Sequence, residues 1–367
     1  MTLASQDALR INVLLANKPL AIRIHESSMT LYGLSERGEL KVELNPDCSD
    51  EQYIKKVKEM LSGYVLGSPG GYPVYLQRWT RMGQMRDDNL EQLLLLGEPE
   101  AVIALACASG LSDELARRAW WVREDAENAR RMLISEAVKQ GAMGPVLAAY
   151  LVEYLPFESE PEQMMMTVAL VLQPGLIDAA MKADLWKKSQ RKNPYLVGFL
   201  SSCADSIPDQ QSPSTYYLQL QDVLDDGNEN AVAQLLLRVI SPPGQAFLAT
   251  VIKVLGKPVT QEMVTTSLDV LADYFSAMRP QGRVDETLDK LEQDADDYLK
   301  NGPAEAQSVM RMCADCEQLL YTMRLLSGMS YGVIRPCLGD STAIGSLMRR
   351  KLEPVMTPLL QHLKKLQ

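Results

Sequence analysis

The feature that most constrains the fold of this chain is the helical spacing of its apolar residues from about residue 87 to the end. Gly, Pro or short polar clusters interrupt this spacing roughly every 12 to 20 residues. At Gly97-Glu98-Pro99 the pattern predicts the end of one helix and the start of the next, with Pro99 in the first turn. Further breaks are predicted at Gly141, Pro156, Pro174-Gly175, Asn193-Pro194, Pro208, Pro242-Pro243, Gly256, Pro280 and Gly302-Pro303.

Such a series of short amphipathic segments predicts a mainly α fold. The apolar share of the 367 residues is 46%, which is enough to form a core, but aromatic residues make up only 6%. This composition favours helices packed on helices over a β-sandwich. No repeat recurs at a constant period, so the predicted arrangement is an irregular helical array, either α-solenoid-like or a helical bundle.

The first part of the chain has a different pattern, because apolar and polar residues alternate along it. This alternation predicts three short antiparallel strands, joined by turns at 26–28 and 35–38, where Gly38 is free to adopt a positive φ. A helix is predicted directly after them, from a capping box formed by Ser49 and Gln52. The alternating apolar residues are Ile22 and Ile24, Met29 and Leu31, and Leu40, Val42 and Leu44.

Three parts are predicted along the chain. Residues 1–70 form a small α+β unit, residues 71–207 a helical domain, and residues 208–367 a second helical domain continuous with the first. The boundary between the two helical domains is placed in the polar, proline-bearing segment 206–214. The glycine-rich segment 63–72 is interpreted as a hinge, because it lacks the Gly-Lys-Ser/Thr end of a phosphate-binding loop.

The residue counts and motifs exclude several classes of function. His25 and His362 are the only histidines, so zinc and iron sites that depend on histidine lack ligands. The sequence contains no motif of a nucleophilic hydrolase, a dinucleotide-binding enzyme or a carboxylate di-iron protein. We therefore expect no enzymatic activity and no catalytic, cofactor or metal site. The net charge of −10 makes nucleic acid an unfavourable partner without excluding it.

The sequence also predicts a cytoplasmic protein without a membrane segment. The first 18 residues do not read as a secretion signal, and no apolar run approaches the ~20 residues that span a bilayer. The 6 cysteines are too few and too scattered for a disulfide scaffold.

Arg117, Arg118, Trp120 and Trp121 form a candidate interaction site. Successive residues on a helix diverge by about 100°, so one of the two tryptophans is expected near the surface. In one interpretation the cluster anchors a protein interface, because Trp and Arg dominate binding hot spots. The favoured interpretation is a large core residue whose neighbouring arginines pair with nearby acidic residues.

Two further segments have alternative interpretations. Cys313 and Cys316 form a C-x-x-C predicted to lie within one helix, where structural thiols are favoured over a redox pair or a metal site with Cys337. The basic segment 182–192 carries Trp186, and its favoured interpretation is a solvated helix face. The alternatives for this segment are a contact with acidic residues and a nucleic-acid interface.

Several segments of the first 140 residues resemble the sulfur reduction protein DsrS family of sulfur-oxidising bacteria. The resembling segments are 7–19, 21–34, 72–105 and 116–133. The resemblance implies a cytoplasmic protein that is encoded beside a dissimilatory sulfite reductase system running in the oxidative direction, and that supports or regulates that pathway. It implies no activity, cofactor or site residue.

These observations lead to a functional expectation and two rivals. We expect a non-enzymatic accessory or regulatory protein of sulfur oxidation that contacts protein partners or a second copy of itself. The first rival is a thiol-based redox or sulfur-carrier protein that uses Cys313 and Cys316. The second is a nucleic-acid-binding regulator that uses the basic segment 182–192.

Overall fold

The computed structural model confirms the predicted fold class. A small antiparallel sheet near the N-terminus is followed by many helices. The residues that the structure describes are 3–66, 87–224, 230–312, 316–339 and 343–367.

The chain forms two compact units, which differ from the three parts predicted from the sequence. Unit 1 comprises Met1–Tyr154 and Pro174–Ile177, and unit 2 comprises Leu155–Gln173 and Asp178–Gln367. The predicted boundary at 206–214 lies inside unit 2, where helices before and after it share one hydrophobic core. A polar, proline-bearing composition marks a loop, but it does not reveal whether the flanking helices pack together.

Unit 1 begins with helix α1, Ser5–Ala16, which the sequence analysis did not predict. Ile11, Leu14 and Leu15 of α1 pack into one cluster with buried residues of the sheet and the next helix. The three predicted strands follow as β1 (Ala21–His25), β2 (Thr30–Ser35) and β3 (Gly38–Glu43).

The sheet has the order β1-β2-β3, and both pairs of strands are antiparallel. Ile22 and Leu31 are fully buried. On the opposite face of the sheet, Arg23, Tyr32 and Lys41 lie side by side in register. Gly38 adopts a φ of +121°, so the predicted turn between β2 and β3 is confirmed.

The remaining elements of unit 1 are helical. The predicted start at Pro99 is confirmed, and Gly63, placed in the predicted hinge, lies inside a helix. The rest of that hinge, from residue 67 to 72, falls outside the described residues. The elements are α2 (Asp50–Leu66), a 3₁₀ helix (Asp87–Leu95), α3 (Pro99–Ala106), α4 (Asp113–Val122), α5 (Ala126–Met132), α6 (Glu136–Lys139) and α7 (Met143–Tyr154).

A buried carboxylate connects the elements at the start of unit 1. Asp7 of α1 accepts hydrogen bonds from the Tyr53 hydroxyl at 2.5 Å and from the Asn45 backbone N–H at 2.6 Å. Burial and the hydrogen bond to Asp7 raise the pKa of Tyr53, so this hydroxyl keeps its proton and donates. The contact holds α1 against α2 and against the loop that follows β3.

Unit 2 is helical in all its described elements. Pro242 begins one of its helices, and Gly256 ends the same helix, as the sequence predicted. The helices are α8 (Pro161–Val171), α9 (Ala179–Ser189), α10 (Asn193–Ser202), α11 (Tyr217–Leu224), α12 (Ala231–Ile240), α13 (Pro242–Gly256), α14 (Gln261–Tyr274), α15 (Leu288–Asn301), α16 (Ala304–Met312), α17 (Glu317–Leu326), α18 (Tyr331–Leu338) and α19 (Gly345–Lys365).

The core of unit 2 surrounds α13. Phe247 of this helix stacks on Tyr274 with ring centroids 3.9 Å apart, and Phe275 packs against Tyr274 edge-on. Among the described residues no single helix has the length and apolarity of a membrane span. The helices α12 and α13 reach that threshold only together, across a bend of 70°, and both contribute many buried residues to the core.

Two buried arginines of unit 2 share one carboxylate. Arg324 donates to both oxygens of Asp294, at 2.8 and 3.0 Å, and Arg279 donates to the same group at 2.5 Å. Arg324 also donates to the Met278 carbonyl. Burial alone would raise the pKa of Asp294, but the hydrogen bonds and charges of the two arginines outweigh it and lower that pKa.

We predict that Asp294→Asn lowers the free energy of unfolding by about 2 to 3 kcal/mol at pH 7, because it leaves two buried guanidinium groups without their carboxylate. This loss of stability is at or below the range found when one partner of a fully buried ion pair is removed, because the Asp294 side chain is 36% exposed. Because the pKa of Asp294 is lowered in the folded state, the ionised carboxylate stabilises the fold at pH values above the ordinary carboxyl pKa. This stabilisation is lost as the pH falls below that value.

Urea unfolding of both proteins between pH 3 and pH 7 tests this prediction. Asp297→Asn on the same helix is the matched control, since Asp297 is exposed. An Asp294→Asn protein as stable as the control at pH 7 would contradict it.

Candidate functional site

Arg117 and Arg118 pair with an acidic residue of their own helix. Both lie on α4, which Ser112 caps by accepting from the Leu115 N–H. Arg117 donates to Glu114 at 2.7 Å through two nitrogens, and Arg118 donates to the same residue at 2.8 Å. The hydrogen bond from Arg117, assisted by Arg118 and opposed by burial, holds the pKa of Glu114 at about 2. This pairing agrees with the favoured interpretation of the cluster.

Trp120 and Trp121 diverge, as their spacing on a helix predicted. Trp120 is 9% exposed and packs edge-on against Tyr150, with ring centroids 4.8 Å apart. Trp121 is half-buried, and its indole N–H donates to Glu39 at 3.2 Å. Trp120 is therefore a core residue of unit 1, whereas Trp121 belongs to the surface.

The surface around Trp121 is an aromatic–arginine stack on the outer face of the sheet. The Arg23 guanidinium lies 4.7 Å from the ring centroid of Trp121 and 5.1 Å from that of Tyr32. Arg23 also donates to the Trp121 carbonyl at 3.1 Å and to Glu39 at 3.3 Å. We call these four residues, Arg23, Tyr32, Glu39 and Trp121, the Arg23 platform.

The sequence analysis identified only one member of the Arg23 platform. Arg23 and Trp121 are 98 positions apart in the chain. The strand pattern places Arg23 and Tyr32 on the polar face of the sheet, but it does not reveal which helix lies beside that face. In the structure, α4 contacts β1 and so is the helix that lies beside this face.

The two cysteines of the C-x-x-C are not both described. Cys316 is fully buried, and it precedes the first residue of α17 instead of lying in the middle of a helix. Cys313 lies outside the described residues. A buried thiol does not meet the exposure that thiol chemistry requires.

Cys107 is a thiol that the sequence analysis did not identify. It is exposed, and the Arg131 guanidinium donates to its sulfur at 2.8 Å. This hydrogen bond raises the pKa of Arg131, and Glu127 pairs with the same guanidinium at 2.7 Å. Cys107 and Arg131 line a cavity of about 680 Å³ together with Ser112 and Ser135. No motif marks Cys107, because its cationic neighbour is 24 positions away.

The basic segment 182–192 directs its aromatic residue into unit 2. Trp186 packs edge-on against Phe199 with ring centroids 5.0 Å apart, and it borders the hydrophobic core. Lys188 pairs with Asp184 at 2.7 Å, and Lys192 lies over the ring of Tyr195. Trp186, the stacking group that a nucleic-acid interface would use, therefore packs against Phe199 instead.

In the part of the chain that the structure describes, no group of three or more His, Cys, Asp or Glu residues is arranged to hold a metal ion. Protein-family models, curated proteins and solved structures give no match to this chain. The evidence for the candidate sites is therefore the geometry of this structure alone. This geometry favours the Arg23 platform for binding and Cys107 for thiol chemistry.

We predict that a thiol reagent at neutral pH modifies Cys107 of the native protein before any other described cysteine, because it is the exposed one. Cys203 and Cys316 are buried, so they should react only when the protein unfolds. In the native protein their labelling rates should be at least about a hundredfold lower than that of Cys107, because opening of the core is rare. Peptide mapping by mass spectrometry after timed labelling measures both rates. Modification of Cys316 as fast as Cys107 would contradict the described burial.

Proposed function

We propose that this chain is an accessory protein that acts by binding another protein through the Arg23 platform. The observation that carries the proposal is the Arg23 guanidinium, which lies over the rings of both Tyr32 and Trp121 at the surface of unit 1. Trp, Tyr and Arg are the residues that most often dominate binding hot spots. Glu39 anchors both Arg23 and Trp121, so these side chains are ordered before binding and lose little conformational entropy on association.

The biological setting of the proposal is cytoplasmic sulfur oxidation, in which the protein supports or regulates a dissimilatory sulfite reductase system. Support for this setting is the resemblance to the DsrS family. Two of the resembling segments, 21–34 and 116–133, contain Arg23, Tyr32 and Trp121. The residues of the proposed contact surface therefore lie largely within the part of the chain that carries the resemblance.

The test is to isolate the partner from a native extract, identify it and measure its affinity with purified proteins. Trp121→Ala should weaken binding at least tenfold, equivalent to about 1.4 kcal/mol, because it removes the largest group of the platform. Trp121→Phe retains an aromatic ring and should have a smaller effect. Size-exclusion chromatography distinguishes a second copy of the chain from a different partner.

Val146→Ala is the matched control, since Val146 is an exposed apolar residue elsewhere in unit 1. Circular dichroism shows whether each variant is folded. Equal affinities of the Trp121→Ala and Val146→Ala variants for the partner would show that the Arg23 platform is not the binding surface.

A second candidate function is a thiol-based redox or sulfur-carrier role. Cys313 and Cys316 remain the residues proposed from the sequence, and the specific observation that favours thiol chemistry is the exposed Cys107 beside Arg131. In this proposal the Cys107 thiolate attacks a disulfide of another molecule. A mixed disulfide forms, and the second sulfur of the attacked disulfide leaves as a thiolate.

Glutathione disulfide is a probe for this second function. We expect glutathione to form a mixed disulfide with Cys107. Cys107→Ser should therefore abolish most of the modification of the protein by glutathione disulfide, whereas Cys203→Ser should leave that modification unchanged. Arg131→Gln should slow the reaction several-fold, because the guanidinium is the cation beside the sulfur. Unchanged modification of the Cys107→Ser protein would overturn the role of Cys107 in this function.

A further inference from the structure

The strand β3 has an outer edge that no strand covers among the described residues. It is the last strand in the order β1-β2-β3, so only β2 pairs with it. The side chains of Glu39, Lys41 and Glu43 are 41%, 52% and 72% exposed, and β3 therefore lies at the surface of unit 1. An exposed edge presents backbone groups that can pair with another strand.

The register of the sheet shows which backbone groups point out of the β3 edge. The Leu44 N–H donates to the Met29 carbonyl at 2.8 Å, and hydrogen-bonded pairs alternate with non-hydrogen-bonded pairs along an antiparallel ladder. The backbone groups of Glu39, Lys41 and Glu43 therefore point away from β2. The Glu43 carbonyl agrees with this direction, since it accepts from a guanidinium of α1 at 3.3 Å.

Four backbone groups at the β3 edge are available for pairing. Glu39 and Lys41 each present one N–H and one C=O group there, and no described residue bonds to these groups. A second antiparallel strand laid against the edge would bond to all four of them.

The charges along β3 alternate in sign. Arg37, Glu39, Lys41 and Glu43 lie two positions apart, and the last three project from the polar face of the sheet. Two copies of β3 can pair antiparallel with Leu40 at the centre. Glu39 of each copy then lies directly opposite Lys41 of the other, so this arrangement sets opposite charges against each other twice.

Other registers of the same two strands are less favourable. A register centred on Lys41 would set Lys41 opposite Lys41 and Glu39 opposite Glu43, and like charges directly opposite each other are destabilising. A register centred on Val42 would need the Glu43 carbonyl, which already accepts from α1. Charge and hydrogen bonding thus both select the register centred on Leu40.

The charged side chains can make these contacts without giving up the ones they have. Arg23 and Trp121 both donate to Oε2 of Glu39, and neither bond uses its Oε1. The Lys41 ammonium carries three N–H donors and lies 2.8 Å from Glu43 of the same strand. Each group can therefore keep its present partner and add one across the β3 edge.

We propose that two copies of the chain associate through their β3 edges, antiparallel and centred on Leu40, so that the two three-stranded sheets become one. The occupant of the edge is a second copy because the charges of β3 complement themselves. A contact of one strand from each copy is small, so the dimer is weak and depends on concentration. The proposal does not rest on the proposed function, because Tyr32 and Trp121 take no part in the contact.

Sedimentation equilibrium of the full chain over a range of concentrations tests the proposal. We expect a monomer–dimer equilibrium. Lys41→Glu should weaken dimerisation at least about tenfold, because it sets two carboxylates against each other at two symmetric positions. Lys55→Glu is the matched control, since it makes the same charge change at an exposed lysine of α2 and should leave the dimer unchanged.

Cysteine cross-linking tests the register. In the proposed dimer the two Leu40 residues form a non-hydrogen-bonded pair with Cα atoms about 4.5 Å apart, which a disulfide can join. With Cys107→Ser in place, Leu40→Cys should cross-link two copies in the presence of glutathione disulfide. Val42→Cys is the matched control, because the two Val42 residues lie four positions out of register, beyond the roughly 7 Å that a disulfide spans.

Trp121→Ala separates this proposal from the proposed function, and it should leave the dimer unchanged. A dimer that Trp121→Ala dissociates and Lys41→Glu does not would mean that the copies meet at the Arg23 platform, which would overturn the proposal. A wild-type protein that stays monomeric up to about 1 mM would also overturn it. Equally fast cross-linking through Leu40→Cys and Val42→Cys would do the same.

Discussion

The structure depends on the burial of helices that are too short to be stable alone. They range from the 4 residues of α6 to the 21 residues of α19, and most lie below the ~12–15 residues at which an isolated helix becomes even marginally stable in water. Their stability comes from the apolar faces that they bury. In unit 1 the helices α1 and α2 pack on one face of a three-stranded sheet, and in unit 2 the helices surround α13.

Two carboxylates, the buried Asp7 and the partly exposed Asp294, make directional contacts beside these apolar cores. Asp7 accepts hydrogen bonds from Tyr53 and Asn45, and Asp294 accepts from Arg279 and Arg324. Hydrophobic contacts are not directional, whereas a buried charge tolerates few geometries, because each unmade hydrogen bond is costly. Each aspartate thus favours the packing in which its hydrogen bonds are made.

The candidate binding surface of unit 1 results from the same packing. The sheet of unit 1 has a buried face and a polar face, and α4 lies beside the polar one. The Arg23 platform forms where they meet. Its residues come from distant parts of the chain and form no short motif.

The sequence by itself determined the mainly α class, the three strands with the turn at Gly38, and helix starts such as Pro99 and Pro242, because each follows from local backbone preference or local periodicity. It also predicted that Trp120 and Trp121 would diverge. Only the tertiary structure decided the division into two units, the burial of Cys316, and the pairing of Cys107 with Arg131. The physical reason is that these properties depend on which helix faces meet, and apolar faces of similar size do not identify their partners in the sequence.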